Sequence, residues 1–126
     1  MGKVEDNKMT QAQEKINQIQ MIQQNMQNLS MQRQQFQIQE TEIESALTEL
    51  EKTDVSYKII GNIMVKTGKE DLKTDLQEKH EMLKIRISTL EKQENKLREK
   101  AESLQQEVLK EIEKDGNKQS KTSGKH

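Results

Sequence analysis

Few residues in this chain could do chemistry, and their spacing limits each of them. His80 stands between Glu78 and Glu81. A helical metal site needs its donors three or four positions apart, so that they share a face. Offsets of two and one do not provide that face. His80 therefore reads as a polar residue of a packing seam, and no metal site is expected. The other histidine, His126, belongs to the polar C-terminal tail. Gly68-Lys69 is followed by Glu70 rather than Ser or Thr, and Gly61 is too far upstream to complete a phosphate loop. There is no cysteine, hence no thiolate nucleophile, thiolate ligand or disulfide. A Ser-His-acid set would need a pocket that the elements described below cannot supply. The expectation is no catalytic residue, no metal and no cofactor, in a protein that is not an enzyme.

The elements follow from an unusual composition. Only 29% of the 126 residues are hydrophobic, 2% are aromatic and 34% are charged. That is too little apolar material for a compact core and lies near the disordered class. Two features place the chain elsewhere: it has no proline, and its apolar residues are regularly spaced. A coiled coil buries only a narrow seam and fits both. The net charge of −1, from 21 basic and 22 acidic residues, points to no nucleic-acid partner and no anionic membrane. No run of about 18 apolar residues exists to span a bilayer. The start, MGKVEDNKM, has no apolar core of a signal peptide. A soluble intracellular protein is expected.

Two segments carry heptads. In the first, residues 10–52, Ile22, Leu29, Phe36, Ile43 and Leu50 recur every seven positions. Their companions three residues earlier are Ile19, Met26, Arg33, Glu40 and Leu47. In the second, residues 68–114, Leu76, Leu83, Leu90, Leu97 and Leu104 recur in the same way, with His80, Ile87, Glu94, Ala101 and Val108 as companions. This alternation of three and four is the coiled-coil signature. Placing Leu50 opposite Leu76, Ile43 opposite Leu83, Phe36 opposite Leu90, Leu29 opposite Leu97 and Ile22 opposite Leu104 makes all five layers pivot on residue 63. The reading is a mainly α protein: a long antiparallel two-helix coiled coil within one chain. The same pivot sets Arg33 near Glu94 and Glu40 near Arg86, pairs that can specify register. Antiparallel packing alternates seam classes, which leaves a shift of a residue or more open. Thr67 and Glu70 have capping-box spacing, and Glu70 and Asp71 suit the positive end of a helix. The glutamines between Gln11 and Gln39 read as a solvated face. Residues 1–9 are expected to be a flexible N-terminus and 115–126 a disordered tail.

Between the helices, residues 53–67 carry YKIIGNIMV. Val55, Tyr57, Ile59 and Ile60 lead into Gly61-Asn62, a two-residue hairpin turn, and Ile63, Met64 and Val65 return. Both faces are partly apolar. A lone hairpin is marginal in water, and its edges and apolar faces are a liability unless covered. A mere helix connection needs no such segment. The hairpin is expected to pair with hairpins of other chains in a sheet or barrel.

Heptads flanking Tyr57-Lys58-x-x-Gly61-Asn62-x-Met64-Val65, followed by Lys69-Glu70-Asp71-Leu72, resemble the beta-type prefoldin subunits, most closely the archaeal kind. The resemblance covers about residues 16–113. A single hairpin is the beta-type pattern, since the alpha type carries two. The resemblance implies a cytoplasmic heterohexamer of two alpha-type and four beta-type chains whose hairpins form a β-barrel. It implies an ATP-independent chaperone that captures unfolded polypeptides at the coiled-coil tips and passes them to a group II chaperonin.

Both chain ends would lie at such a tip. Its apolar residues are Ile16, Ile19, Met21, Ile22 and Met26 from one helix and Leu104, Val108, Leu109 and Ile112 from the other. Near a helix end the seam runs out of partners and apolar side chains become available. Methionines there suit varied apolar partners. A structural coiled-coil adaptor without chaperone activity is the alternative reading. A nucleic-acid-associated coiled coil using the lysine-bearing tail is a third, which the near-neutral charge opposes.

Overall fold

A computed structural model describes residues 2–123 of the chain, with side chains over residues 10–114. The expectations for 1–9 and 115–126 fall outside the fully described residues. The element order is α1 (Gly2–Glu51), β1 (Ser56–Ile60), β2 (Ile63–Thr67) and α2 (Lys69–Ser123). This is the expected arrangement of two long helices with one antiparallel hairpin between them.

The chain divides into two compact units, one of Met1–Leu29 with Gln93–His126 and one of Ser30–Lys92. In each, a segment of α1 packs on a segment of α2 along the heptad seam. In the first unit Ile19, Ile22, Ala101 and Val108 are buried, and Met26, Leu29, Leu97 and Leu104 are half-buried. In the second, Leu50, Leu83, Ile87 and Leu90 are buried, and Phe36, Ile43, Leu47 and Leu76 are half-buried. No large side chain of the described residues is completely shielded, as expected when a core is one seam wide.

The register differs from the expected pivot on residue 63. The hairpin pairs Ile60 with Ile63 and Ser56 with Thr67, centring the fold-back between Gly61 and Asn62. Consistent with that earlier centre, Arg86 does not reach Glu40. Its guanidinium carbon lies 5.7 Å from the centroid of the Phe36 ring, a cation–π contact. Glu40 turns instead to His80. Arg33 is half-buried, and its partners include Ser30 Oγ and Gln37 Oε1 of its own helix; Glu94, expected near it, is buried at 7% exposure and is also engaged.

The start of α2 also differs from expectation. Its first helical hydrogen bond runs from Leu72 N–H to Gly68 C=O at 3.0 Å, so Gly68 is the N-cap rather than Thr67. Thr67 is the last residue of β2, and its carbonyl accepts from Ser56 Oγ at 2.9 Å. The ladder has claimed the residue that would otherwise cap. Asp71 and Glu70 in the first turn still place negative charge at the positive end of the helix.

Candidate functional site

The hairpin is the first candidate. Gly61 has φ of +61°, and no non-glycine residue among those described has positive φ. A glycine with positive φ in the first central position, followed by Asn62 with negative φ, is a type II′ turn, whose twist matches two antiparallel strands. Registry then sorts the side chains. Tyr57, Ile59, Met64 and Lys66 share one face; Ser56, Lys58, Ile60, Ile63, Val65 and Thr67 share the other.

Two contacts hold the base of the hairpin and the helix ends beside it. Lys58 Nζ donates to Asp75 Oδ2 of α2 at 3.2 Å. Lys69 Nζ donates to Glu51 C=O at 3.1 Å, placing a cation at the C-terminal end of α1, which has no basic residue in its own last turn. Ser56 is buried. Beyond that base the apolar side chains are bare. Val55, Tyr57, Ile59, Ile60, Ile63, Met64 and Val65 are all between 42% and 69% exposed. Both faces of a two-stranded sheet are thus apolar and solvated, and no further strand pairs with either outer edge among the described residues.

The second candidate is the unit that holds both chain ends. The residues expected there fall into two groups. Ile19, Ile22 and Val108 are buried in the seam, and Ile16, Met26 and Leu104 are half-buried along it. Met21 is 66% exposed, and Leu109 and Ile112 are 56% exposed. Lys15 covers this part of the seam, at 2.6 Å from Glu111 Oε1 and 3.5 Å from Glu107 Oε2. The hydrogen bond to Glu111 is the main cause that raises the Lys15 ammonium above its ordinary pKa.

One cluster was not legible from spacing along a single helix. His80 Nε2 on α2 lies 3.0 Å from Glu44 Oε1 and 3.8 Å from Glu40 Oε1 on α1. The signal was there in part: Glu40 and Glu44 are four residues apart and share a helix face. Their partner became visible only with the true register. Glu78 and Glu81, its neighbours in sequence, are exposed.

A two-helix chain that exposes an apolar hairpin has the form of an assembly subunit. Comparison with known proteins agrees. A family model described as "Prefoldin subunit" matches residues 13–115. The chain is 44% identical over 101 residues to the prefoldin subunit beta of Archaeoglobus fulgidus, covering 78% of this chain and 87% of that one. It is 40% identical over 101 residues to the prefoldin subunit beta of Thermococcus onnurineus, with coverage of 78% and 87%. Among solved structures, the prefoldin beta subunit from Thermococcus strain KS-1 matches with a TM-score of 0.74 and 39% identity, over 78% of this chain and 89% of that chain. The chain belongs to the prefoldin subunit family, and its relatives here are beta-type subunits of archaea. Membership carries a chaperone-type function and assembly with other prefoldin subunits. None of the helices is long and apolar enough, among the described residues, to cross a membrane.

Proposed function

We propose that this chain is the beta-type subunit of a cytoplasmic, ATP-independent chaperone. In this reading four copies join two alpha-type subunits, and their hairpins close into a β-barrel. Unfolded polypeptides are captured at the helix ends and handed to a group II chaperonin. The observation that carries the reading is the exposed, two-faced apolar hairpin. Barrel formation would pair its edges and cover its faces, which removes the aggregation hazard an isolated edge presents. Capture is supported by the exposed Met21, Leu109 and Ile112. Met21 is flexible and polarisable, and exposed apolar groups beside a packed seam can meet varied apolar segments without one fixed geometry.

The test pairs mass with activity. The chain is co-purified with its partners from its own cells, and the native mass and subunit ratio are measured. A heterohexamer with four copies of this chain supports the assembly. Suppression of aggregation of a chemically unfolded reporter, without nucleotide, supports capture. A homodimer, or a one-to-one complex with one helical protein and no effect on the reporter, would instead identify a structural adaptor.

A further inference from the structure

Glu40, Glu44 and His80 form a group that neither the hairpin nor the helix ends account for. The three side chains come from facing helices of one unit, and their ligand atoms all lie within 4.8 Å of one another. Both carboxylates face the same imidazole nitrogen, Nε2, at 3.0 and 3.8 Å. That nitrogen carries at most one proton, so it can satisfy only one of the two oxygens by a hydrogen bond. The remaining carboxylate faces a charge of its own sign across the site. The setting is not freely solvated: the side chains of His80 and Glu40 are 16% and 24% exposed, and Glu44 at 56% leaves one side open to water.

We infer that Glu40, Glu44 and His80 form a binding site for a first-row divalent cation of the zinc type, with water completing its shell. The donor set suits such a metal, since imidazole and carboxylate are both common ligands for it. The spacing suits it as well. Donors about 2.1 Å from a tetrahedral zinc lie roughly 3.4 Å from each other, between the two distances found here. A doubly charged cation neutralises two carboxylates around a neutral imidazole. It would also link α1 to α2 at one level of the seam, fixing the register there. Three protein donors and an open side leave room for one or more waters. The site rests on these side chains alone and does not depend on the chaperone reading.

The experiment uses the untagged full-length chain in the assembly in which it purifies, stripped with a chelator. Cobalt(II) is titrated and its visible absorption recorded, followed by displacement with zinc. One equivalent per chain with a tetrahedral or five-coordinate spectrum is expected, and zinc should raise the melting temperature. H80Q should abolish the spectrum and the shift. E44Q should weaken binding by more than the roughly 10–100-fold that follows loss of an outer-shell partner, because a direct ligand is removed. E40Q should behave alike, so a poorly folded H80Q, detected by circular dichroism, leaves two further variants to decide. H126Q, which removes the only other histidine, should bind as the wild type does. The inference is overturned if no cobalt spectrum appears, if H126Q rather than H80Q abolishes it, or if E40Q and E44Q both bind like the wild type. The three side chains would then be an ion-pair cluster only.

Discussion

The helical seam and the hairpin use the same kinds of residue to opposite ends. Leu83, Ile87 and Leu90 are buried within the chain, each against the facing helix. Ile59, Ile60 and Ile63 are as apolar, but each is more than half exposed. The difference lies in what each element can cover by itself. A helix needs one stripe buried, and one antiparallel partner supplies that. A two-stranded sheet has two faces and two edges, and one chain supplies neither a second layer nor a further strand. The seam is therefore finished within the chain, whereas the hairpin is left with apolar side chains bare on both faces.

The contrast can be broken most directly at the hairpin. I63E should abolish assembly while leaving the helices formed. In the proposed barrel it removes burial of an isoleucine, about 1.5–3 kcal/mol at each interface, and adds a carboxylate whose desolvation costs several more. Native mass spectrometry and far-ultraviolet circular dichroism read the two effects; a persisting hexamer would sink the barrel assignment. Next in size is the seam. L83A should destabilise the helical pair by about 2–4 kcal/mol, at the lower part of the range for buried leucines because a two-helix seam can partly close. Its signature is a lower melting temperature, the reverse of the I63E pattern.

Replacing Met21, Leu109 and Ile112 together with serine should leave assembly and melting temperature nearly unchanged, within about 0.5 kcal/mol per exposed site. The same variant should lose much of the suppression of reporter aggregation. Unchanged suppression would remove these residues from the capture surface. G61A is smaller and purely conformational. Nothing lies within 4 Å of the added methyl group, so the cost is the positive-φ backbone alone, about 1–3 kcal/mol. It should appear as weaker assembly rather than as lost helix.

The smallest effect is expected at Lys15. Its pKa is raised on folding by Glu111 and Glu107, so its contribution is complete below the ordinary lysine range and is lost only as pH rises through the raised value. K15Q should be nearly silent in high salt and should flatten the fall in stability at strongly alkaline pH. An unchanged alkaline profile would show that the contact contributes nothing measurable.

Much of this was legible because period and turn chemistry are local. The seam positions from Ile19 to Leu50 and from Leu76 to Val108 follow from the heptad alone, and every one of them is buried or half-buried. Gly61-Asn62 announced the turn because few other pairs allow its backbone. Spacing alone favours a cap at Thr67, because its offset to Glu70 fits a capping box, yet Thr67 belongs to β2. The partners of Glu40 and Arg86 are not legible from the heptad, because it repeats every seven residues and is insensitive to a slip of the facing helix. The hairpin ladder breaks that degeneracy by pairing Ile60 with Ile63.

The sequence by itself determined the elements, the seam and the exposure of the hairpin. These depend on short-range periodicity and on the shortage of apolar residues to cover anything more. Only the tertiary structure decided which charged groups meet across the helices. Arg86 lies over Phe36, and Glu40 and Glu44 converge on His80. The reason is physical: backbone hydrogen bonds between β1 and β2 set the relative slide of α1 and α2, and a side chain finds its partner only after that slide is set.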